Sequence, residues 1–424
     1  MLDLNLIRTN PDLVRAGIAK KCGDTSLVER ILEIDSSRRT LRTTTEALKA
    51  EQNQASAKMA QATPEEREAL RGDLKDLSDR IASHDVQLRE LDEQVLVLHR
   101  QIPNIPAAEV PEGASDKENV VIRTVGEKKE FSFTPKDHEV LAIALDLFDA
   151  ERAAKLSGSK FYYLKNQLVI LEQSVLRFAL DRLIAAGATP MTVPIMVREA
   201  AMYGAAHFAT PEDAIDGDAY QLERDNLYLA GTAEVGLVNY HAGETLALGE
   251  TPIRYVGISP CYRRESGTYG KETRGLYRVH AFTKIEMVSF SLPENSEAEH
   301  AWLLQQAEDL LQALGLSYQV VLNCGGDLGT PQSKKWDIET WMPGMNKYGE
   351  THSCSNDTDY QARRLNIRYR NPEGEMAFVH TLNNTALASP RILIPLLETY
   401  QMEDGSIEIP EVLRPYTGFD RISA

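Results

Sequence analysis

Alternating four- and three-residue steps run through Leu27, Ile31, Ile34, Arg38, Leu41, Thr45, Leu48, Gln52, Ala55, Met59 and Ala62, a seam that is apolar at most positions. A second seam runs Leu70, Leu74, Leu77, Ile81, His84, Leu88, Leu91, Val95 and Leu98. Both have the heptad spacing that turns one stripe of an α-helix toward a partner helix. Between them, Thr63-Pro64-Glu65-Glu66 offers an N-cap hydroxyl, a proline at the first helical position and a capping-box carboxylate three residues after the cap. The pattern predicts two helices of about 35 residues, roughly 50 Å each, that turn near residue 63 and pack antiparallel as an arm. The polar seam residues Arg38, Thr45, Gln52 and His84 weaken this packing or set its register. From periodicity alone a dimerisation coiled coil outranks an RNA-binding arm, because heptads most often only assemble chains.

Ile102-Pro103-Asn104-Ile105-Pro106 and Pro111-Glu112-Gly113 then stop the helix and favour extended chain. They divide the protein into an N-terminal helical domain at 1–102, with the arm at about 27–100, a linker at 103–115 and a second domain at 116–424. Beyond the linker the texture changes to short apolar elements. Leu168, Leu171, Val175, Phe178 and Arg182 share a helix that ends at Gly187, while 255–259 and 285–291 read as strands. Helical periodicity returns at 295–314 and 386–401. Strands joined by a long loop, with helices from elsewhere in the chain, predict an α+β domain on a mainly antiparallel β-sheet with flanking helices.

Composition narrows the function classes. The 424 residues carry 46 Lys plus Arg against 63 Asp plus Glu, a net charge of −17, which excludes a generally basic nucleic-acid coat. A local patch or shape recognition remains open. With 42% hydrophobic residues the chain can build a sizeable core. Cys22, Cys261, Cys324 and Cys354 form no ligand-spaced pair, so neither a disulfide framework nor a zinc site is expected. No basic stretch precedes an apolar run at the N-terminus, and no apolar run approaches the ~18 residues of a membrane span. These features suit a cytoplasmic protein with no membrane contact.

The chemistry gathers in three segments. Residues 261–286 hold Arg263, Arg264, Lys271, Arg274 and Arg278 before Lys284, with Gly267, Gly270 and Gly275 to let the backbone bend. Guanidinium groups hold phosphates and glycines permit close approach, so the composition suits a nucleotide site; a solvated charged hairpin is the commoner fate of such a loop. Arg263 and Glu265 alternate at strand spacing and so share one face, and Phe282 and Glu286 return on the partner strand. Near the C-terminus a strand at 378–391 leads into an apolar helix with Arg391 near its start, an arginine equally suited to a structural salt bridge. Gly231-Thr232-Ala233-Glu234 is too short to carry meaning alone.

In this order, and with the arm, these segments resemble the bacterial-type seryl-tRNA synthetase family of class II aminoacyl-tRNA synthetases over essentially the whole chain. Arg263 to Glu286 is similar to the family's motif 2, and His380-Thr381-Leu382-Asn383 with Arg391 to motif 3. Pro194 is similar to the motif 1 proline at the family's dimer interface. Ser353-Cys354-Ser355-Asn356 and Gln361-Ala362-Arg363-Arg364 also match. The resemblance implies a homodimeric ligase that joins L-serine to ATP as seryl-adenylate, releases pyrophosphate and transfers the seryl group to tRNA(Ser), and to tRNA(Sec) where present. It implies that Arg263, Arg391 and Glu350 are catalytic. ATP contacts would come from Arg263, Arg264, Glu265, Val279, Phe282, Glu350, Thr351, His352, Ser353 and Arg391, with Phe282 stacked on the base. Glu350 and Ser353 would hold Mg2+. Thr232, Ala233, Glu234, Glu286, Asn383 and Thr385 would form the serine pocket. No zinc ligands appear. The arm would reach the long variable arm of the tRNA, and the loop 266–274 would serve ATP and the acceptor end in turn.

Several positions depart from the family pattern. Asn384 and Thr385 stand where Gly-Ser is frequent, Ser389-Pro390 replaces Val-Gly, Gly236 replaces a usual proline, Thr351-His352 replaces Ile-Ser, and the segment 203–210 departs from the family's usual loop. Thr385 keeps the hydroxyl, so function is expected to survive. A homologue that loads an amino acid onto a non-tRNA carrier is the alternative, and such relatives are expected to have lost or reshaped the arm.

Overall fold

The computed structural model describes residues 1–424 except 211, 214–216, 250, 267–274 and 424, together with all side chains of those residues but Glu65 and Ala69. Two compact units result, one of Leu2–Ala19 with Gly23–Pro103, the other of Met1, Lys20–Cys22 and Asn104–Ala424.

The first unit is helical. Short helices α1 (Leu4–Thr9) and α2 (Pro11–Lys20) precede two long ones, α3 (Leu27–Gln61) of 35 residues and α4 (Pro64–Gln101) of 38. Every position of both heptad seams is buried or half-buried. The turn forms as its residues dictate: the Thr63 hydroxyl accepts from Glu66 N (3.4 Å), and Glu66 Oε2 accepts from Thr63 N (2.9 Å). Polar seam positions are paired across the hairpin, Thr45 Oγ1 with His84 Nδ1 at 3.1 Å and Arg38 Nη1 with Asp92 Oδ1 at 3.0 Å. Such pairs fix which turns of the two helices face each other.

Asp35, only 2% exposed, is gripped by Arg8 through both carboxylate oxygens (2.7 and 2.8 Å) and by Arg38 (2.6 Å). The Arg8 contact, opposed by burial, leaves its carboxyl below the ordinary range. Removing one partner of a buried pair strands the others, so Asp35→Ala should cost about 3 kcal/mol. Because the folded pKa is depressed, the Asp35 contribution is present above the unfolded value of about 4 and is lost as pH falls below it. Helical melting of the full chain should therefore separate wild type from variant at pH 7, and the gap should narrow progressively as the pH is taken below about 4.

The second unit is built on an eight-stranded sheet: β1 (Val120–Val125), β2 (Thr189–Met191), β3 (Ile253–Tyr262), β4 (Ala281–Ser291), β5 (Tyr318–Leu322), β6 (Lys334–Met342), β7 (Lys347–Asn356) and β8 (His380–Ser389). Their spatial order is β1-β5-β6-β7-β8-β4-β3-β2, antiparallel except where β2 joins β3. Helices α5 (Gln167–Ala185), α7 (Ser296–Ala313) and α9 (Leu393–Tyr400) cover one face. On β4, Ile285 and Met287 enter that core while Phe282, Lys284 and Glu286 face a cavity on the other side. Helices α6 (Glu234–Asn239) and α8 (Tyr360–Leu365) lie on the cavity side, where Ala233, Leu237 and Ala362 share a second apolar cluster with Val288 and Phe290.

One expectation changes. The helix expected at 386–401 starts only at Leu393, because Ala386-Leu387-Ala388-Ser389 completes β8 between β4 and β7. Short apolar runs fit either period, and Pro390 disfavours helix at the residue before it. The segment after Pro103 is extended, as its prolines require, and hydrogen bonds fasten it in place. Asn104, 4% exposed, donates from Nδ2 to Pro331 O (2.8 Å) and Asp357 O (2.9 Å), and Ala107 N donates to Ser333 O.

Candidate active site

One cavity gathers most of the residues singled out from the sequence. Arg263, Glu265, Val279, Phe282, Glu350, Thr351, His352, Ser353 and Arg391 line it together with Thr232, Glu234, Glu286, Asn383 and Thr385. Two expected members lie elsewhere. Arg264 points over the Tyr220 ring at 5.9 Å, and Ala233 is packed beneath the site against Gly257 of β3. Residues 267–274 of the glycine-containing loop, with Arg274, lie outside the described residues.

The strand alternation inferred for Arg263 and Glu265 is also corrected. β3 ends at Tyr262, and Glu265 has a left-handed backbone (φ 51°), so both face the cavity by a turn of the chain. Glu265 Oε2 meets Arg278 Nη1 at 3.2 Å. The Arg263 guanidinium lies 5.3 Å from the centre of the Phe282 ring and donates from Nε to Gly231 O (3.3 Å). A cation and an aromatic face are thus held side by side, as a nucleotide needs for phosphate and base.

Two β-bulges aim the polar groups. On β7 Thr351 is the extra residue, since Ile338 pairs with His352 and Glu339 with Glu350. Three positions apart, Glu350 and Ser353 would face opposite ways on a regular strand; the bulge turns both into the cavity. On β8 Ala386 is the extra residue, between Leu387 opposite Ile285 and Thr385 opposite Glu286. His352 ties the bulges together. Its Nε2–H donates to Ala386 O (3.1 Å) and Nδ1 accepts from Thr351 Oγ1 (2.8 Å), which in turn contacts Thr340 Oγ1 (2.7 Å). Burial drives the imidazole pKa down to about 4, so this link is neutral at physiological pH. The unusual Thr351-His352 pair therefore has a structural account.

The inner end of the cavity is a buried charge cluster. Glu286, 2% exposed, receives Lys284 Nζ at 2.5 Å and Thr385 Oγ1 at 3.4 Å; burial outweighs the lysine and pushes its carboxyl pKa up. Glu234 behaves oppositely. Burial would raise it, but His207, Gln361 and Lys284 together hold it below the ordinary range. Gln361 Nε2 (2.7 Å) and Asn383 Nδ2 (3.2 Å) donate to its Oε1, and His207 Nε2 stands 3.6 Å from Oε2. His207 reaches this place because Arg364 donates to Tyr203 O (2.7 Å) and Phe208 O (3.1 Å), and Gln361 to Ala205 O (3.0 Å), clamping the atypical loop. Two carboxylates over a small pocket suit a ligand with an ammonium group and a hydroxyl.

At the other end Arg391 Nη1 donates to Glu350 O (3.1 Å), lies 3.6 Å from Glu350 Oε1 and covers the Tyr277 ring at 4.8 Å. Glu350 and Ser353 supply two hard oxygen donors. That is the small protein contribution Mg2+ accepts when phosphates and water complete its shell.

Lys284, His207 and Tyr277 line the cavity without having been singled out as site residues. Period-two alternation from Phe282 would have found Lys284, whereas no local signal marks His207.

Glycine sets the depth of the pocket. A Cβ at Gly257 would stand 2.9 Å from Ala233 Cβ and 3.0 Å from Leu237 Cδ1, so α6 and Glu234 approach the sheet only because that side chain is missing. Gly257→Ala should destabilise the protein by about 1–3 kcal/mol and raise the KM for the amino acid more than that for the nucleotide. Thermal denaturation and substrate titrations check both. Gly236 is as constrained: a Cβ there would lie 2.6 Å from Val193 Cβ.

Comparison with known proteins agrees across the chain. The seryl-tRNA synthetase N-terminal domain matches residues 1–106, and the class II tRNA synthetase core domain (G, H, P, S and T) matches residues 220–400. A serine–tRNA ligase of Thermobifida fusca is 41% identical over 420 residues, covering 99% of this chain and 98% of the relative. One from Kocuria rhizophila is 44% identical over 429 residues, covering 98% of each. Among solved structures, the seryl-tRNA synthetase of Pyrococcus horikoshii complexed with ATP superposes with a TM-score of 0.93 at 40% identity, covering 100% of this chain and 99% of that one.

Proposed function

The chain belongs to the seryl-tRNA synthetase family, and from that premise we propose how its cavity makes seryl-adenylate from L-serine and ATP and passes the seryl group to tRNA(Ser). The observation that carries the reading is the cavity itself, with a cation beside an aromatic ring at one end and two buried carboxylates at the other.

Phe282 stacks on the adenine and Glu265 contacts its edge. Arg263 holds the α-phosphate, and Arg391, resting on Tyr277, receives the γ-phosphate of a bent ATP. Glu286 and Glu234 take the serine ammonium, and Thr385 and Thr232 help to fix the hydroxyl. Alanine is rejected because it leaves these buried polar groups unpaired, threonine by its extra methyl. Displacement at phosphorus needs mostly positioning and charge stabilisation, which fixed guanidinium groups supply without reorganising. Glu350 and Ser353 would hold Mg2+, which, when bound, neutralises charge on the phosphates.

The helical hairpin is the tRNA-binding arm and reads the long variable arm by shape and backbone. Its length and its register-setting polar pairs support this. We further place the protein in the cytoplasm as a homodimer, with Pro194 in the interface; Met196 beside it is 54% exposed. No helix among the described residues is long and apolar enough to cross a membrane. tRNA(Sec) is a second acceptor where present.

Charging with labelled serine tests the reading. Full-length tRNA(Ser) should be charged, and the same tRNA with its variable arm deleted should lose most of its acceptance while ATP–pyrophosphate exchange is untouched. Serine activation with no transfer to any tRNA would favour the carrier-loading alternative.

A further inference from the structure

Lys284 has no part in the reading above, yet its side chain enters the middle of the cavity. Phe282, Lys284 and Glu286 occupy alternate positions on β4, and all three line the cavity. At about 3.4 Å per strand residue, the base-stacking ring and the ammonium-binding carboxylate are roughly 14 Å apart along the strand, with Lys284 midway between them. On an adenylate laid along this strand, the midpoint falls at the junction of amino acid and phosphate.

Lys284 is 6% exposed and its Nζ is 2.5 Å from Glu286 Oε2. The inner pocket thus holds two carboxylates, Glu286 and Glu234, with Lys284 on the Phe282 side of Glu286 along β4; His207 is the further titratable group facing Glu234. Serine enters as a zwitterion. Its ammonium competes for the Glu286 oxygen that Lys284 occupies, and its carboxylate brings a buried negative charge that needs a cation. Exchange of partners satisfies both charges without stranding either.

We propose that Lys284 is a catalytic residue of serine activation, whose ammonium moves from Glu286 to the serine carboxylate as substrate binds and holds it at the α-phosphate. The proposal rests on the serine-activating reading. In the step it assists, a carboxylate oxygen donates a lone pair to form the bond to the α-phosphorus. The bond from that phosphorus to the bridging oxygen breaks, and its electron pair leaves with pyrophosphate. Lys284 stays an ammonium throughout and transfers no proton. A lysine that served only as counter-ion to Glu286 would act on the ammonium site alone.

Serinol separates the two roles, because it keeps the ammonium and hydroxyl of serine and lacks the carboxylate. Calorimetric titration of serine and of serinol, with α,β-methylene-ATP and Mg2+ present, should be run on wild type, Lys284→Met and Lys284→Arg. With Lys284→Met, serine should bind at least about 10-fold more weakly, serinol should bind as before or more tightly, and the exchange kcat should fall about 100-fold or more. Lys284→Arg should recover part of both losses. Equal weakening of serine and serinol would overturn the proposal and leave Lys284 as a counter-ion. Should Lys284→Met lose the wild-type thermal transition, Lys284→Gln, which keeps a donor for Glu286, carries the same comparison. Wild-type protein that fails to bind serine at all would overturn the serine-activating reading itself, an outcome distinct from a defect confined to the variants.

Discussion

Arg263→Ala should lower serine-dependent ATP–pyrophosphate exchange by about 1,000-fold, mostly in kcat. The guanidinium is held beside Phe282 and tethered at Nε to Gly231 O, so its remaining N–H groups are free of that contact and already positioned near a nucleotide stacked on the ring. Removing one preorganised donor from a developing anion costs about 10²–10³-fold, and a guanidinium can offer more than one. Arg263→Lys should recover little, since a point charge on a flexible stem cannot reproduce a fork. Single-turnover exchange assays separate this loss from a change in ATP affinity, which should stay within about 10-fold because the base still stacks.

Glu286→Ala should act on the other substrate. The carboxylate is buried, is bonded by Lys284 and Thr385, and sits directly across from Gly257 on β3, where the sheet gives the pocket its floor. Its removal deprives the serine ammonium of a charged partner and leaves Lys284 as an unpaired buried cation. Losing one partner of such a pair costs about 3–5 kcal/mol, or roughly 10²–10⁴-fold in kcat/KM for serine. ATP binding should be nearly unaffected, because Phe282 and Arg391 lie at the far end. Glu286→Gln keeps the shape and should bind serine nearly as poorly, which distinguishes lost charge from lost packing. Steady-state titration of each substrate reads the difference.

Much of this is legible in the chain itself. The hairpin repeats one signal over many heptads and adds a complete capping box at 63–66, so local chemistry specifies both the helices and the turn. The glycine cap after α5 was equally plain, with Gly187 at φ 96°. Features that depend on pairing between distant strands were not. Nothing at Glu350 or Ser353 announces the bulge at Thr351 that brings them to one face, and nothing at His352 announces a hydrogen bond to Ala386 on another strand. The prolines beside Asn104 announce extended chain but not what fastens it, because the carbonyls that hold it lie more than two hundred residues away. The helix expected at 386–401 failed where a short apolar run could satisfy either period. Asn384, a departure from the family pattern, proves to donate to Leu303 O at 2.8 Å and so fastens β8 to α7.

The central claim is that this cavity joins serine, and no smaller or larger analogue, to ATP. Amino-acid-dependent ATP–pyrophosphate exchange with Mg2+ tests it most directly, comparing serine with alanine, threonine and glycine. Exchange with serine alone, lost in Glu286→Ala, is the expected result. Exchange with no amino acid, or equal exchange with serine and alanine, would contradict it.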